Sequence, residues 1–121
     1  MFDSGALIAF ERNDGPILRL IELAYSERRV LYIPSGVLAQ VWRDGRQQAR
    51  LARLLRSRIV DVQVLDTAEA QAVGVLCGKR RHADIVDASV IVLARRLAAT
   101  IVTSDPVDLS RLDGTLLLMP C

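Results

Sequence analysis

Two neighbouring stretches decide the fold: Ile85–Leu97, which reads IVDASVIVLARRL, and Thr100–Pro106, which reads TIVTSDP. The first is apolar at helical period with Asp84 at its head. The second is a short β-branched run that ends on Asp105-Pro106. Helix followed by apolar strand is the unit that builds parallel sheets.

The same alternation extends outward in both directions. Further strand-like runs are Val30–Ile33, Ile59–Leu65 and Thr115–Met119. Helical candidates lie at Gly15–Arg29, Gly36–Trp42, Gln47–Ser57 and Thr67–Gly78, and Ser4–Ala9 forms an apolar helical turn. Strands that are apolar throughout predict a parallel sheet covered on both faces, hence an α/β fold. No linker, repeat or low-complexity tract interrupts the 121 residues, so residues 1–121 are expected to form one domain. Only Met1 and Phe2 precede Asp3, so a strand leading into Asp3 is either very short or begins upstream.

Composition narrows the function. Hydrophobic residues make up 51% and charged residues 25%, the balance of a globular domain. No apolar run approaches the roughly 20 residues that cross a bilayer, and no signal peptide is visible, so no membrane partner is expected. Two cysteines, Cys77 and Cys121, fit a reduced, cytoplasmic setting. His82 is the lone histidine and reads as a surface loop residue, which excludes zinc sites of the usual nitrogen and sulfur kind. The net charge is +2, and fifteen of the sixteen basic residues are Arg. That bias follows from a GC-rich genome or from bidentate phosphate contact.

The acids carry the chemistry. Asp3 and Asp105 end predicted parallel strands, where α/β folds bind ligands. Asp84 and Asp87 open the helix between them, and Asp108 follows Asp105 by three. Each has a simpler reading: Asp84 and Asp105 as helix caps, with Pro106 at the first helical position and Asp108 in the first turn. Asp3 and Asp87 are harder to place that way, because apolar residues surround them. Clustered carboxylates repel by about 1–4 kcal/mol at 4 Å, and a hard divalent cation, Mg²⁺ or Mn²⁺, relieves that repulsion.

These residues resemble the PIN-domain ribonucleases, specifically the VapC-type toxins of VapBC toxin–antitoxin modules. The blocks are Asp3–Ala9, Pro34–Trp42, Asp84–Ala94 and Thr100–Leu109. The resemblance spans nearly the whole chain and is carried by the order of the four blocks, not by any one of them. It implies a three-layer α/β/α sandwich around a central parallel sheet of four to five strands. It also implies Mg²⁺- or Mn²⁺-dependent endonucleolytic cleavage of RNA, by attack of a metal-bound hydroxide that leaves a 5′-phosphate and a 3′-hydroxyl. Asp3, Asp87 and Asp105 fall on the catalytic, metal-holding acids, and Asp84 and Asp108 on accessory ones. The remaining family acid falls on Gln40, which offers a carbonyl oxygen without charge; Asp44, about one helical turn on, is expected to compensate in part. The resemblance further implies a homodimer, with Gly15–Arg29 and Gln47–Ser57 as interfaces, and a cognate VapB-like antitoxin.

Arg43, Arg46, Arg50 and Arg53 recur at helical spacing as one stripe, with Arg56 and Arg58 beyond; it reads as a solvated face or as a contact for a phosphate backbone or an acidic partner, with Arg43, Arg46 and Arg50 as the candidate RNA contacts. Trp42 is expected in the core or at an interface. The competing functions are a weakened PIN domain that binds RNA or a partner without cutting, and a phosphoryl-transfer domain with Asp3 as nucleophile.

Overall fold

A computed structural model describes residues 1–81, 84–113 and 117–120, with Leu112 described by its main chain only. Helix α1 (Ser4–Glu11) and α2 (Gly15–Ser26) lead into strand β1 (Leu31–Pro34). Helices α3 (Ser35–Val41) and α4 (Ala49–Leu55) precede β2 (Val60–Gln63). After them come α5 (Thr67–Arg80), α6 (Ile85–Leu97), β3 (Ile101–Thr103), α7 (Pro106–Leu112) and β4 (Leu118–Pro120). The fold is mixed α/β with short parallel strands, as the alternation predicts. His82, Cys121 and the Thr115-Leu116 start of the fourth expected strand lie outside the described residues.

Capping explains where the helices begin. Asp3, Asp14, Asp66, Asp84 and Asp105 each turn a side-chain oxygen onto a main-chain N–H of the helix that follows. Asp66 and Glu69 complete a reciprocal capping box on α5. Inside α6, Ala88 to Ala94 form an unbroken buried run, so this helix is the hub of the core.

Among the described residues a single central sheet of four to five strands is not shown. β1 pairs with β2 and β3 with β4, both parallel, as two two-stranded sheets. Met1–Asp3 lies between them. The Phe2 N–H donates to the Tyr32 carbonyl of β1 at 3.0 Å. On the other side Asp3 N–H donates to the Val102 carbonyl of β3 at 3.2 Å, and Val102 N–H donates to the Met1 carbonyl at 2.8 Å. Because α1 starts at Ser4, the segment leaves after one bridging pair, Phe2 with Val102, and never becomes a regular strand. Full coverage on both faces also fails at the edges. β3 is buried throughout, whereas Asp61 and Val62 of β2 and Met119 of β4 are exposed.

Two further expectations change. α4 spans only Ala49–Leu55, so Arg50 and Arg53 share a helix but Arg43 and Arg46 lie in the turn before it. The cause is local: Gln48 Oε1 accepts the N–H groups of Arg43 at 2.6 Å and Asp44 at 3.0 Å, closing a turn where the stripe needed helix. Asp44 is likewise not one turn along from Gln40, because α3 stops at Val41 and Trp42 is extended. Its carboxylate accepts the Arg46 N–H at 2.9 Å instead. Trp42 packs against the core, as expected.

Phe2 is fully buried at the junction of both sheets. Phe2→Ala should therefore cost about 3–5 kcal/mol, read as a lowered urea midpoint with an unchanged slope. A loss under 1 kcal/mol would show that Phe2 does not hold the two sheets together.

Candidate active site

Parallel strands put all their carboxyl ends on one side. Asp3 follows the bridging Phe2, Pro34 ends β1 and opens α3, and Asp105 follows β3 by two residues. Asp3 is 6% exposed, an uncommon position for a carboxylate. Its Oδ1 accepts the Ala6 N–H at 2.9 Å, and Gly5 N–H and the Thr103 hydroxyl also bond to the carboxylate. Thr103 is completely buried and its Oγ1 accepts the Asp105 N–H at 2.8 Å. One hydroxyl thus ties together the two residues that close neighbouring strands. With its lone pair engaged by Asp105, its single hydrogen goes to Asp3.

Burial holds the Asp3 carboxyl above its ordinary value, and the charge of Asp105 adds to this; the bonds from Thr103, Ala6 and Gly5 pull the other way. Among the described residues, no Arg or Lys forms an ion pair with Asp3 or Asp105. Among the described residues the buried Asp3 carboxylate thus feels the neighbouring Asp105 charge without a paired Arg or Lys to offset it.

The remaining acids divide by element. Asp84 caps α6 by accepting the Asp87 N–H at 3.0 Å, and Asp87 is half-buried in the first turn of that helix. Asp105 Oδ1 accepts the Asp108 N–H at 3.2 Å. The simpler cap readings therefore hold for Asp84 and Asp105, and in each case the bond to the helix uses only one carboxylate oxygen. Gln40 is exposed, and its Oε1 accepts the Ser4 hydroxyl, which ties α3 to the residue next to Asp3. Gly36 of α3 rests against Val86 and Ser89 of α6. Among the described residues, no three of the Asp, Glu, His and Cys side chains stand close enough to hold one metal ion together. The structure thus joins Asp3 with Asp105, Asp84 with Asp87, and Asp105 with Asp108; Gln40 meets the site through Ser4.

Sequence reasoning overlooked Thr103, Ser104 and Ser4. A Thr closing a strand two residues before an Asp was the available signal for Thr103. The role of Ser104 was hidden in Gly5: a Cβ there would lie 1.8 Å from Ser104 Oγ and 2.7 Å from its Cβ. Glycine is required for α1 to come this close to the end of β3. The expected RNA-facing arginines are partly committed elsewhere. The Arg43 guanidinium donates to the Ala39 and Trp42 carbonyls at 3.3 and 2.7 Å, and Arg50 lies 4.8 Å over the Phe10 ring.

Two outcomes follow. Gly5→Ala should destabilise the chain by about 1–3 kcal/mol, and Ser104→Gly in the same chain should recover most of that loss. A double-mutant cycle with no coupling would exclude the contact. Asp3→Asn keeps an oxygen for the Ala6 N–H but removes the charge. The folded wild type retains a proton that the unfolded chain has released, so its stability falls as pH rises between the ordinary carboxylate value and the raised one. The variant should lack this fall, so the stability difference in its favour grows across that interval and then levels off. A difference that stays flat with pH would show that Asp3 is not held above its ordinary value.

No protein-family model matches the chain, and no curated protein is significantly similar to it.

Proposed function

We propose that the chain is a metal-dependent endoribonuclease of the PIN-domain, VapC-like kind. In this reading the two small sheets and the bridging Met1–Asp3 segment are the shortened form of that family's central sheet, between helical layers. Asp3, Asp87 and Asp105 are the catalytic acids, supported by Asp84 and Asp108. One observation carries the reading: a carboxylate buried to 6% exposure is kept beside a second carboxylate at the carboxyl ends of parallel strands. Such an arrangement costs stability, and a hard divalent cation removes that cost.

The donor set fits Mg²⁺ or Mn²⁺, which take oxygen ligands and are commonly held by one or two protein carboxylates plus water and substrate phosphate. Asp3 and Asp105 would hold the ion, and Gln40 would orient a water from the α3 side. When bound, the ion supplies Lewis acidity toward the phosphodiester and offsets its negative charge. The chain itself does the positioning. Thr103 fixes the Asp3 carboxylate against Asp105. The caps on α1 and α7 fix one oxygen of Asp3 and one of Asp105 in place. Replacement of the family acid by Gln40 weakens the attraction for the cation. Within the same proposal the chain is cytoplasmic, forms a homodimer, and is neutralised by a cognate VapB-like antitoxin.

A second reading, an RNA-binding PIN domain that no longer cuts, is favoured by the uncharged Gln40 and its engagement with Ser4. One assay separates the two. Purified protein incubated with mixed RNA should cut it when Mn²⁺ is present and not in EDTA, and Asp87→Asn should lower the rate at least about 100-fold. Gln40→Glu should shift the Mn²⁺ midpoint down about tenfold, equivalent to ~1.4 kcal/mol. Binding without cleavage under every metal condition would overturn the nuclease in favour of the second reading.

A further inference from the structure

Parallel strands also place their amino ends together, at the side away from the acids. There a cavity of about 190 Å³ is lined by Arg28, Arg29, Val30, Arg58 and Ile59. We propose that this cavity is a metal-free anchoring site for the phosphates of RNA, separate from the acidic site. The proposal extends the ribonuclease reading by giving the substrate a second point of attachment.

The site is built by two chain segments held in register. Leu31 N–H donates to the Ile59 carbonyl at 2.7 Å, which brings the residues entering β1 beside those entering β2. The Arg28 and Arg29 N–H groups donate to the Tyr25 and Ala24 carbonyls at 3.3 and 2.9 Å, folding the end of α2 back over the cavity. Arg58 lies 4.5 Å over the Tyr25 ring. Stacking uses the face of a guanidinium and leaves its N–H edge free to donate, the geometry suited to a phosphate. Arg29 pairs with Glu27 at 2.8 Å; the Arg29 side chain is largely in solvent and that of Glu27 partly so. The rim thus carries three guanidinium groups against one carboxylate.

Phosphate is favoured over other anions by these forks, and a polymer over a free ion by the open, two-segment rim. β1 alone spans about 13 Å at ~3.3 Å per residue. An RNA that reached both ends would therefore place its anchored phosphates several nucleotides from the one being cut. Among the described residues lining the cavity there is no carboxylate, and the one on its rim, Glu27, is paired with Arg29, so the guanidinium groups themselves are what would meet a phosphate.

Arg28 allows a clean test. It sits in the left-handed region at φ 55°, where glycine is preferred. Arg28→Gly therefore removes the guanidinium while relieving the backbone. The probe is a fluorescein-labelled single-stranded 20-nucleotide RNA, read by anisotropy in EDTA so that nothing is cut. Arg28→Gly combined with Arg58→Ala should weaken binding at least about tenfold and reduce the slope of log affinity against log salt by about 1.4, for two lost phosphate contacts. Arg28→Lys with Arg58→Lys should recover most of the slope. Circular dichroism should show the wild-type fold in each variant, and Arg29→Ala, which leaves the Tyr25 stack intact, provides a further variant expected to weaken binding.

Unchanged affinity and slope in the folded variants would overturn the proposal. So would polyglutamate that displaces the RNA at equal charge, which would assign the cavity to an acidic protein partner. Failures of the two readings are distinguishable. If the wild type binds RNA in EDTA but never cuts it with Mn²⁺, the nuclease falls and the anchoring site stands. If it cuts RNA while the arginine variants bind as tightly as the wild type, the anchoring site falls alone.

Discussion

The structure depends on three residues of extended chain. Met1–Asp3 hydrogen-bonds to β1 on one side and β3 on the other, and nothing else joins the two small sheets through main-chain bonds among the described residues. Its single completely buried side chain, Phe2, points into the core. This dual bonding fixes where Asp3 must emerge, at the shared carboxyl end of the strands. From there α1 departs, and Gly5 permits the helix to pass against Ser104. The position of the site is thus a consequence of how the sheets are joined.

Placing a carboxylate at that junction is costly, and the surrounding groups offset only part of the cost. Thr103, Ala6 and Gly5 each donate to Asp3, yet its carboxyl remains above the ordinary value because burial and Asp105 outweigh them. Among the described residues no Arg or Lys forms an ion pair with Asp3 or Asp105, and in the proposed function an external cation would recover the energy. Sites that bind ligands are commonly less stable than the rest of the fold for this reason. Asp3 is also the N-cap of α1, so the residue that destabilises the site is the same one that starts its first helix.

Much of this was legible in the sequence where local chemistry and tertiary packing agree. Ile85–Leu97 has a capping Asp, a helical period and a buried apolar run, and α6 occupies those residues. Asp105-Pro106 announced α7 through its cap and first-turn proline. Reading failed where a turn outcompeted a period. Arg43 and Arg46 have helical spacing, but the Gln48 amide captures the main chain of Arg43 and Asp44 and breaks the stripe. The expected sheet is shown only as two short parallel pairs among the described residues: apolar runs give strand positions but not how many residues each contributes to pairing, and a one-residue bridge leaves almost no pattern. The position of Thr103, two residues before Asp105, was readable, but its bond to Asp3 was not, since that exists only once β3 and Met1–Asp3 lie side by side.

A net charge of +2 conceals a division along the strand axis. Parallel strands send Asp3 and Asp105 to one end and leave Arg28, Arg29 and Arg58 at the other. In an antiparallel sheet the residues flanking successive strands would alternate between ends, and the two groups would mix. The separation is therefore a product of topology acting on sequence order: in each case the charged residue flanks a strand, acids after it and arginines before it. Among the described residues, Asp3 and Asp105 form no ion pair with Arg28, Arg29 or Arg58. Under the proposed function, the acids would take a cation and the arginines an anion, and a metal-bound phosphodiester polymer would supply both.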